Sequence, residues 1–145
     1  MASNKALTLF ARTIALIGPE AFERLQAARV AVFGLGGVGA ACAEALARSG
    51  VGTLALVDHD VISPGNINRQ LIALNSTLGQ QKTSACAIRL RDINPEINVI
   101  EHPVFYTQDT AGAIHLEDFD AVADCVDTLA AKVLLAQLAP QAGAY

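Results

Sequence analysis

The run Val30-Ala31-Val32-Phe33-Gly34-Leu35-Gly36-Gly37-Val38-Gly39 decides the fold. Its first four residues form a continuous apolar strand, the pattern expected when both faces of a sheet are covered. The glycines that follow permit a tight turn and leave backbone N–H groups open at the start of a helix, where an anion can approach them. The helix is read from Val38, Ala41, Cys42, Ala45 and Leu46, which share a face at helical spacing, and Gly50 ends it. A lone GxGxxG pattern is a weak signal. Its placement between a strand and a helix makes it the opening unit of a dinucleotide-fold sheet.

Outward from this unit, strands and helices alternate, which implies a parallel sheet with crossover helices. Upstream, Pro19 and Glu20 suit the first turn of a helix running to about Ala28. Downstream, a second strand covers Thr53 to Val57, and a longer connection runs from Asp58 to about Gly79. A helix from about Gln81 to Ile93 puts Cys86, Leu90 and Ile93 on one face and stops at Asn94-Pro95. A third strand is expected over Ile97 to Ile100, a short helix near Asp109 to His115, a fourth strand over Ala121 to Asp124 and a last helix from about Thr128 to Leu138. Right-handed crossovers predict the order 3-2-1-4, the front half of a Rossmann-like doubly wound α/β sheet. Residues 1–145 then read as the N-terminal part of one domain, truncated at its C-terminal end, with the apolar fourth strand at an edge. Such a chain is expected to be inactive by itself and to self-associate.

Composition agrees with a globular domain: 52% of the 145 residues are hydrophobic and 17% are charged, which excludes a disordered chain. No apolar run is long enough to span a membrane. Met1 to Arg12 lacks the pattern of a secretory leader, so the expected compartment is cytoplasmic. A formal charge of −4 argues against a general nucleic-acid binder, though not against a small basic patch. Cys42, Cys86 and Cys125 are odd in number and widely spaced, which disfavours disulfides and zinc. Cys42 and Cys86 read as small apolar residues on helix faces, and Cys125 as buried near the glycine turn. His59, His102 and His115 show no triad or ligand spacing.

Several residues carry candidate chemistry. Gly34, Gly36, Gly37 and Gly39 suit close phosphate approach. Asp58, at the end of the second strand, can accept bonds from ribose hydroxyls or merely cap a turn. Asp60 reads as ordinary surface. Asn66-Ile67-Asn68-Arg69-Gln70 and Lys82 supply cations and amides that a dinucleotide would leave idle but a triphosphate would use. Taken singly, Arg69 and Lys82 read as surface charges. Asp127, just past the fourth strand, can hold a divalent cation or serve as the N-cap of the last helix.

Together, GLGGVG, LVDHD, NINRQ, Lys82 and DCVD resemble the ThiF/MoeB/HesA adenylyltransferases, relatives of ubiquitin-activating enzymes, in order and spacing. The resemblance extends from about Phe10 to about Leu138. It implies ATP with Mg²⁺ as cofactors and adenylation of a carboxylate. By motif, it assigns Asp58 to the ribose, Asn66, Arg69, Gln70 and Lys82 to the phosphates, and Asp127 to Mg²⁺. It also implies that Arg12 reaches the partner's site in a homodimer. LIGPEAFERL, GVGAACAEALARSGVG, NINRQLIALNSTLGQQK, RDINPEINV and FYT resemble the subfamily that dehydrates and cyclises threonylcarbamoyladenosine in tRNA, chemistry that needs no nucleophilic cysteine. Three alternatives stand beside it: adenylation of a ubiquitin-like sulfur-carrier protein, a nicotinamide dehydrogenase, and a non-enzymatic nucleotide-binding fragment.

Overall fold

Alternation along the first strand sets the layers. In the computed structural model, which describes residues 8–145, β1 (Arg29–Phe33) sends Val30 and Val32 into one apolar cluster and Ala31 and Phe33 into another. The leading residues 1–7, on which part of the leader reading rests, lie outside the described residues. β2 (Thr53–Val57) divides likewise, with Leu54 and Leu56 on the first side and Ala55 and Val57 on the second. A sheet buried on both faces needs helices on both, and the chain supplies them. α3 (Gly37–Ser49) and α4 (Lys82–Ile93) cover the first face, and α5 (Leu129–Gln141) covers the second. Two shorter helices, α1 (Ala11–Ile17) and α2 (Pro19–Ala27), precede the sheet and pack through Phe10 and Phe22, whose ring centroids are 5.4 Å apart.

All pairings among the four strands are parallel, in the order β3 (Asn98–His102), β2, β1, β4 (Ala121–Asp124). This is the predicted 3-2-1-4 order. Ala31 pairs with Ala55 on one side and Val122 on the other. Among the described residues, β4 has one strand neighbour, β1. On its outer side Tyr145 donates to the Asp120 carbonyl at 3.1 Å and accepts from Val122 N–H at 2.7 Å, so the edge is capped over one residue.

The expected face of α3 is rotated. Gly39, Ala40, Ala43 and Ala47 are the buried positions, whereas Val38 is 72% exposed and Ala41 and Ala45 are exposed. Alanines stand on both faces of this helix, so apolar spacing does not choose between them; the close approach of Gly39 to the Gly34 backbone turns the Gly39, Ala40, Ala43 and Ala47 side inward. Leu46 alone of the expected bulky set packs partly on the core. In α4, Cys86 and Leu90 are buried as expected. The short helix expected near Asp109 to His115 is replaced by two 3₁₀ turns, Ala111–Ala113 and Leu116–Asp118. β3 starts one residue later than predicted and runs on to His102, and α5 runs through Pro140 to Gln141. Proline is tolerated there because, in the last turn, it interrupts only the end of the helix.

Candidate functional site

The strands end together at Phe33, Val57, His102 and Asp124, the carboxyl edge where ligands bind in open parallel sheets. A cleft of about 350 Å³ opens there. Its floor is the glycine turn. Gly34 has φ +86, and a β-carbon on it would lie 2.7 Å from the Cys125 carbonyl oxygen, so only glycine fits. Gly36 and Gly37 line the cleft. Gly39 does not: it sits behind the turn, where α3 closes on the Gly34 backbone. Its part is to let the helix N-terminus come close.

Asp58 is buried and lines the same cleft. Its Oδ2 accepts the Leu35 N–H at 2.6 Å and its Oδ1 accepts the Asp60 N–H at 2.8 Å. It therefore caps its own turn and also ties the glycine loop to β2. Each carboxylate oxygen keeps a second lone pair for a hydroxyl. The capping and ligand roles coexist.

Asn66, Arg69, Gln70 and Lys82 converge on this cleft from the long connection and the start of α4. Ser63 N–H donates to Asn66 Oδ1 at 3.0 Å, which fixes the loop through the amide oxygen. Arg69 is exposed, and its guanidinium donates to the Gly65 carbonyl at 2.8 Å and to Asn68 Oδ1 at 2.9 Å. Gln70 is buried, and its Oε1 has no hydrogen-bond partner among the described residues. A buried acceptor left unpaired in a cleft is a mark of a ligand group, because its desolvation is otherwise uncompensated. The Tyr106 hydroxyl, also buried in the lining, has none either.

Lys82 corrects the surface-charge alternative: it is 5% exposed. Its ammonium donates to Asp60 Oδ2 at 2.7 Å. That hydrogen bond, opposed by burial, holds the Asp60 carboxyl below its usual range. Asp60 is thus part of the site, although its sequence context gave it no role. The available signal was its spacing, two residues after a strand-end acid, which keeps both on one connection.

Asp127 is exposed and lines the cleft. The N-cap of α5 is Thr128, so Asp127 is not the cap residue that was the alternative for it. The nearby Asp124 is occupied, since both its oxygens lie 3.1–3.2 Å from Lys132 Nζ. A carboxylate facing a polar cleft suits a hard cation that takes oxygen ligands. Arg12 is exposed on α1 and is not among the cleft-lining residues.

On the far wall, Val104, Phe105 and Tyr106 follow β3 into the cleft. His59 meets Phe105 edge-on with centroids 4.5 Å apart, and Phe33 meets Tyr106 at 4.7 Å. Phe105 and Tyr106 of the subfamily phrase FYT are therefore a piece of cleft wall. Cys125 is half-buried in the lining rather than fully enclosed. Burial and the neighbouring Cys42 thiol push its pKa up to about 11. Burial raises Cys86 to about 12. Neither is a ready nucleophile near neutrality.

The chain is 48% identical over 126 residues to the tRNA threonylcarbamoyladenosine dehydratase of Bacillus subtilis, covering 87% of this chain and 50% of that protein. It is 38% identical over 112 residues to mouse adenylyltransferase and sulfurtransferase MOCS3, covering 77% and 24%. Among solved structures, the E. coli dehydratase TcdA in complex with ATP superposes with a TM-score of 0.95 at 33% identity, covering 99% of this chain and 59% of that one. The chain spans about half the length of the curated dehydratases that it matches. The match to the ThiF family runs over residues 10–145, and the chain belongs to that family.

Proposed function

We propose that this chain carries the ATP·Mg²⁺ cleft of a carboxylate-adenylating enzyme, and that the carboxylate belongs to threonylcarbamoyladenosine in tRNA. One observation carries the reading: the glycine turn, Asp58, Asn66, Arg69, Gln70, Lys82 and Asp127 all line a single cleft. A nicotinamide site would leave the last five without work. The similarity to dehydratases, one of them solved with ATP, supports the nucleotide and the tRNA substrate.

In this reading, the backbone of Gly34, Gly36 and Gly37 and the N-terminus of α3 receive phosphate oxygens. Asp58 accepts the ribose hydroxyls. Asn66, Arg69, Gln70 and Lys82 hold the phosphate chain. The substrate carboxylate attacks the α-phosphorus, the bond to the β,γ-phosphates breaks, and pyrophosphate leaves. Negative charge builds on that leaving group, so Arg69 and Lys82 act most strongly in the transition state. Asp127 holds Mg²⁺, which supplies Lewis-acid charge neutralisation when bound. Within the substrate, a second group then attacks the activated acyl carbon and displaces AMP, closing the ring without a cysteine. Arg12 reaches the cleft of a partner subunit in a homodimer, and the protein works in the cytoplasm.

A second substrate has a specific basis, because mouse MOCS3 and several fungal adenylyltransferase and sulfurtransferase proteins are also similar to this chain. On that alternative, the carboxylate is the C-terminus of a ubiquitin-like sulfur carrier. ATP–pyrophosphate exchange on a protein that includes the natural downstream sequence separates the two. Modified tRNA and a ubiquitin-like carrier are supplied in turn. Stimulation by tRNA is the expected result; stimulation by the carrier alone overturns the tRNA reading, and no exchange with either overturns the adenylation reading.

A further inference from the structure

Lys82 is gripped at both ends by one residue. Its backbone N–H donates to the Asp60 carbonyl at 3.0 Å, and its Nζ donates to Asp60 Oδ2 at 2.7 Å. The antiparallel bridge between Val61 and Gln81 stitches the same two segments alongside. Asp60 is in turn held from the ribose side of the cleft, since its own N–H donates to Asp58 Oδ1 at 2.8 Å. His59 Nε2 lies 3.2 Å from its other carboxylate oxygen. The Lys82 side chain is 6% exposed, while that of Asp60 is 49% exposed. A long stem buried to its tip leaves the ammonium little freedom of its own. The anion at its end then decides where the charge stands. Among the described residues, Asp60 is the carboxylate paired with Lys82.

A carboxylate that holds neither a metal ion nor the ribose is a poor binding group beside a triphosphate, because it repels the ligand. Its presence makes sense if it acts through its partner. We propose that Asp60 is the positioning residue for Lys82: it fixes the lysine ammonium at the height in the cleft where pyrophosphate departs, and mechanically links the nucleoside end of the site, through Asp58, to the phosphate end. The proposal rests on the ATP reading given above. It gives Asp60 a kinetic signature unlike that of a binding residue. Removing the carboxylate relieves repulsion in the ground state while misplacing the charge that the transition state uses.

The test is ATP–pyrophosphate exchange by the full-length protein that carries this chain, with Asp60→Asn, Asp60→Ala, Asp60→Glu, Lys82→Ala and Asp60→Asn/Lys82→Ala. Asp60→Asn and Asp60→Ala should lower kcat by on the order of tenfold to a hundredfold, the scale of a charged group misplaced by about an ångström. The KM for ATP should rise by no more than about threefold, because ground-state binding is not what is lost. Asp60→Glu should recover part of the rate. In the Lys82→Ala background, adding Asp60→Asn should change kcat by less than about twofold, because the two residues act as one unit. Asp60→Asn keeps the side-chain size, so it carries the test if Asp60→Ala fails to fold. An equal loss from Asp60→Asn with or without Lys82, or a raised KM at unchanged kcat, overturns the proposal. Full activity of Asp60→Asn beside a dead Lys82→Ala overturns it while leaving the ATP reading intact. A Lys82→Ala variant as fast as the parent overturns both.

Discussion

The Gly34 carbonyl oxygen lies 1.7 Å from where a β-carbon on Gly39 would stand. That contact is backbone against backbone, so no side-chain rotation relieves it. The third glycine of the motif therefore governs how closely α3 meets the turn, and through it where the helix N-terminus points. Gly39→Ala should cost ~3 kcal/mol or more, the range of severe steric substitutions. Gly65→Ala, next to the cleft-lining Asn66 but with nothing among the described residues within 4 Å of the added carbon, should melt close to the parent. Thermal melts of the two variants check this. Equal stability would mean that the turn can open at little cost.

The cationic side of the cleft predicts nucleotide choice. ATP·Mg²⁺ should bind more tightly than NAD in calorimetry. In a catalytically complete protein, Arg69→Ala should lower turnover by on the order of a hundredfold, comparable with loss of one preorganised charge stabiliser. ATP affinity should fall less than turnover does. The guanidinium rests on Gly65 and Asn68 before ligand arrives, so an unchanged rate would leave it as a loop-bracing group only.

Much of this was legible in the sequence, because strand-forming and turn-forming residues impose local geometry wherever they stand. Val30–Phe33 followed by glycines admits few structures, and the crossover rule turns four strands into an order. What was not legible depended on distance across the fold. Asp60 looks like surface until α4 brings Lys82 to it, 22 residues on. The buried face of α3 differs from the one its apolar spacing predicts, because the contact of Gly39 with the Gly34 backbone decides which side of that helix turns inward. The Val104–Tyr106 wall came only as a subfamily phrase, since nothing in its spacing says that β3 delivers it to the cleft.

Asp127 can now be tested for metal binding alone, since Thr128 is the N-cap of α5. Asp127→Asn should leave the melting temperature within a degree or so of the parent, in the range of surface substitutions outside a cap. It should reduce the difference in ATP affinity measured with and without Mg²⁺ in calorimetry. An unaltered Mg²⁺ dependence would move the cation to other ligands.

The two raised thiols predict chemical quiet. With Cys125 at about 11 and Cys86 at about 12, both are protonated near neutral pH. Alkylation of these two by iodoacetamide in the native protein should be far slower than in denaturant, as read by peptide mass. Cys125→Ala should retain adenylation activity, because in the proposed mechanism the activated acyl group closes on the substrate itself. A thioester trapped on Cys125, or activity lost with folding intact, would require a covalent relay.

Glu44 links the two helices on the first face of the sheet. Its carboxylate accepts Arg89 Nε at 2.6 Å from α4 and Arg48 Nε at 2.8 Å within α3. The Arg89 hydrogen bond, opposed by burial and helped by Arg48, holds its pKa below the ordinary 4.5. A carboxyl depressed in the folded state contributes stability that is complete above its unfolded pKa and is lost as pH falls through the folded value. Glu44→Gln should therefore cost about 1 kcal/mol at neutral pH, the scale of a charged hydrogen bond partly open to solvent. The gap to the parent should close as pH drops below 4.5. Urea midpoints for both proteins at neutral pH and near about pH 3, below ordinary carboxylate pKa values, measure the two ends of that window. A gap that persists undiminished in acid would mean that Glu44 acts by packing, with its charge playing no part.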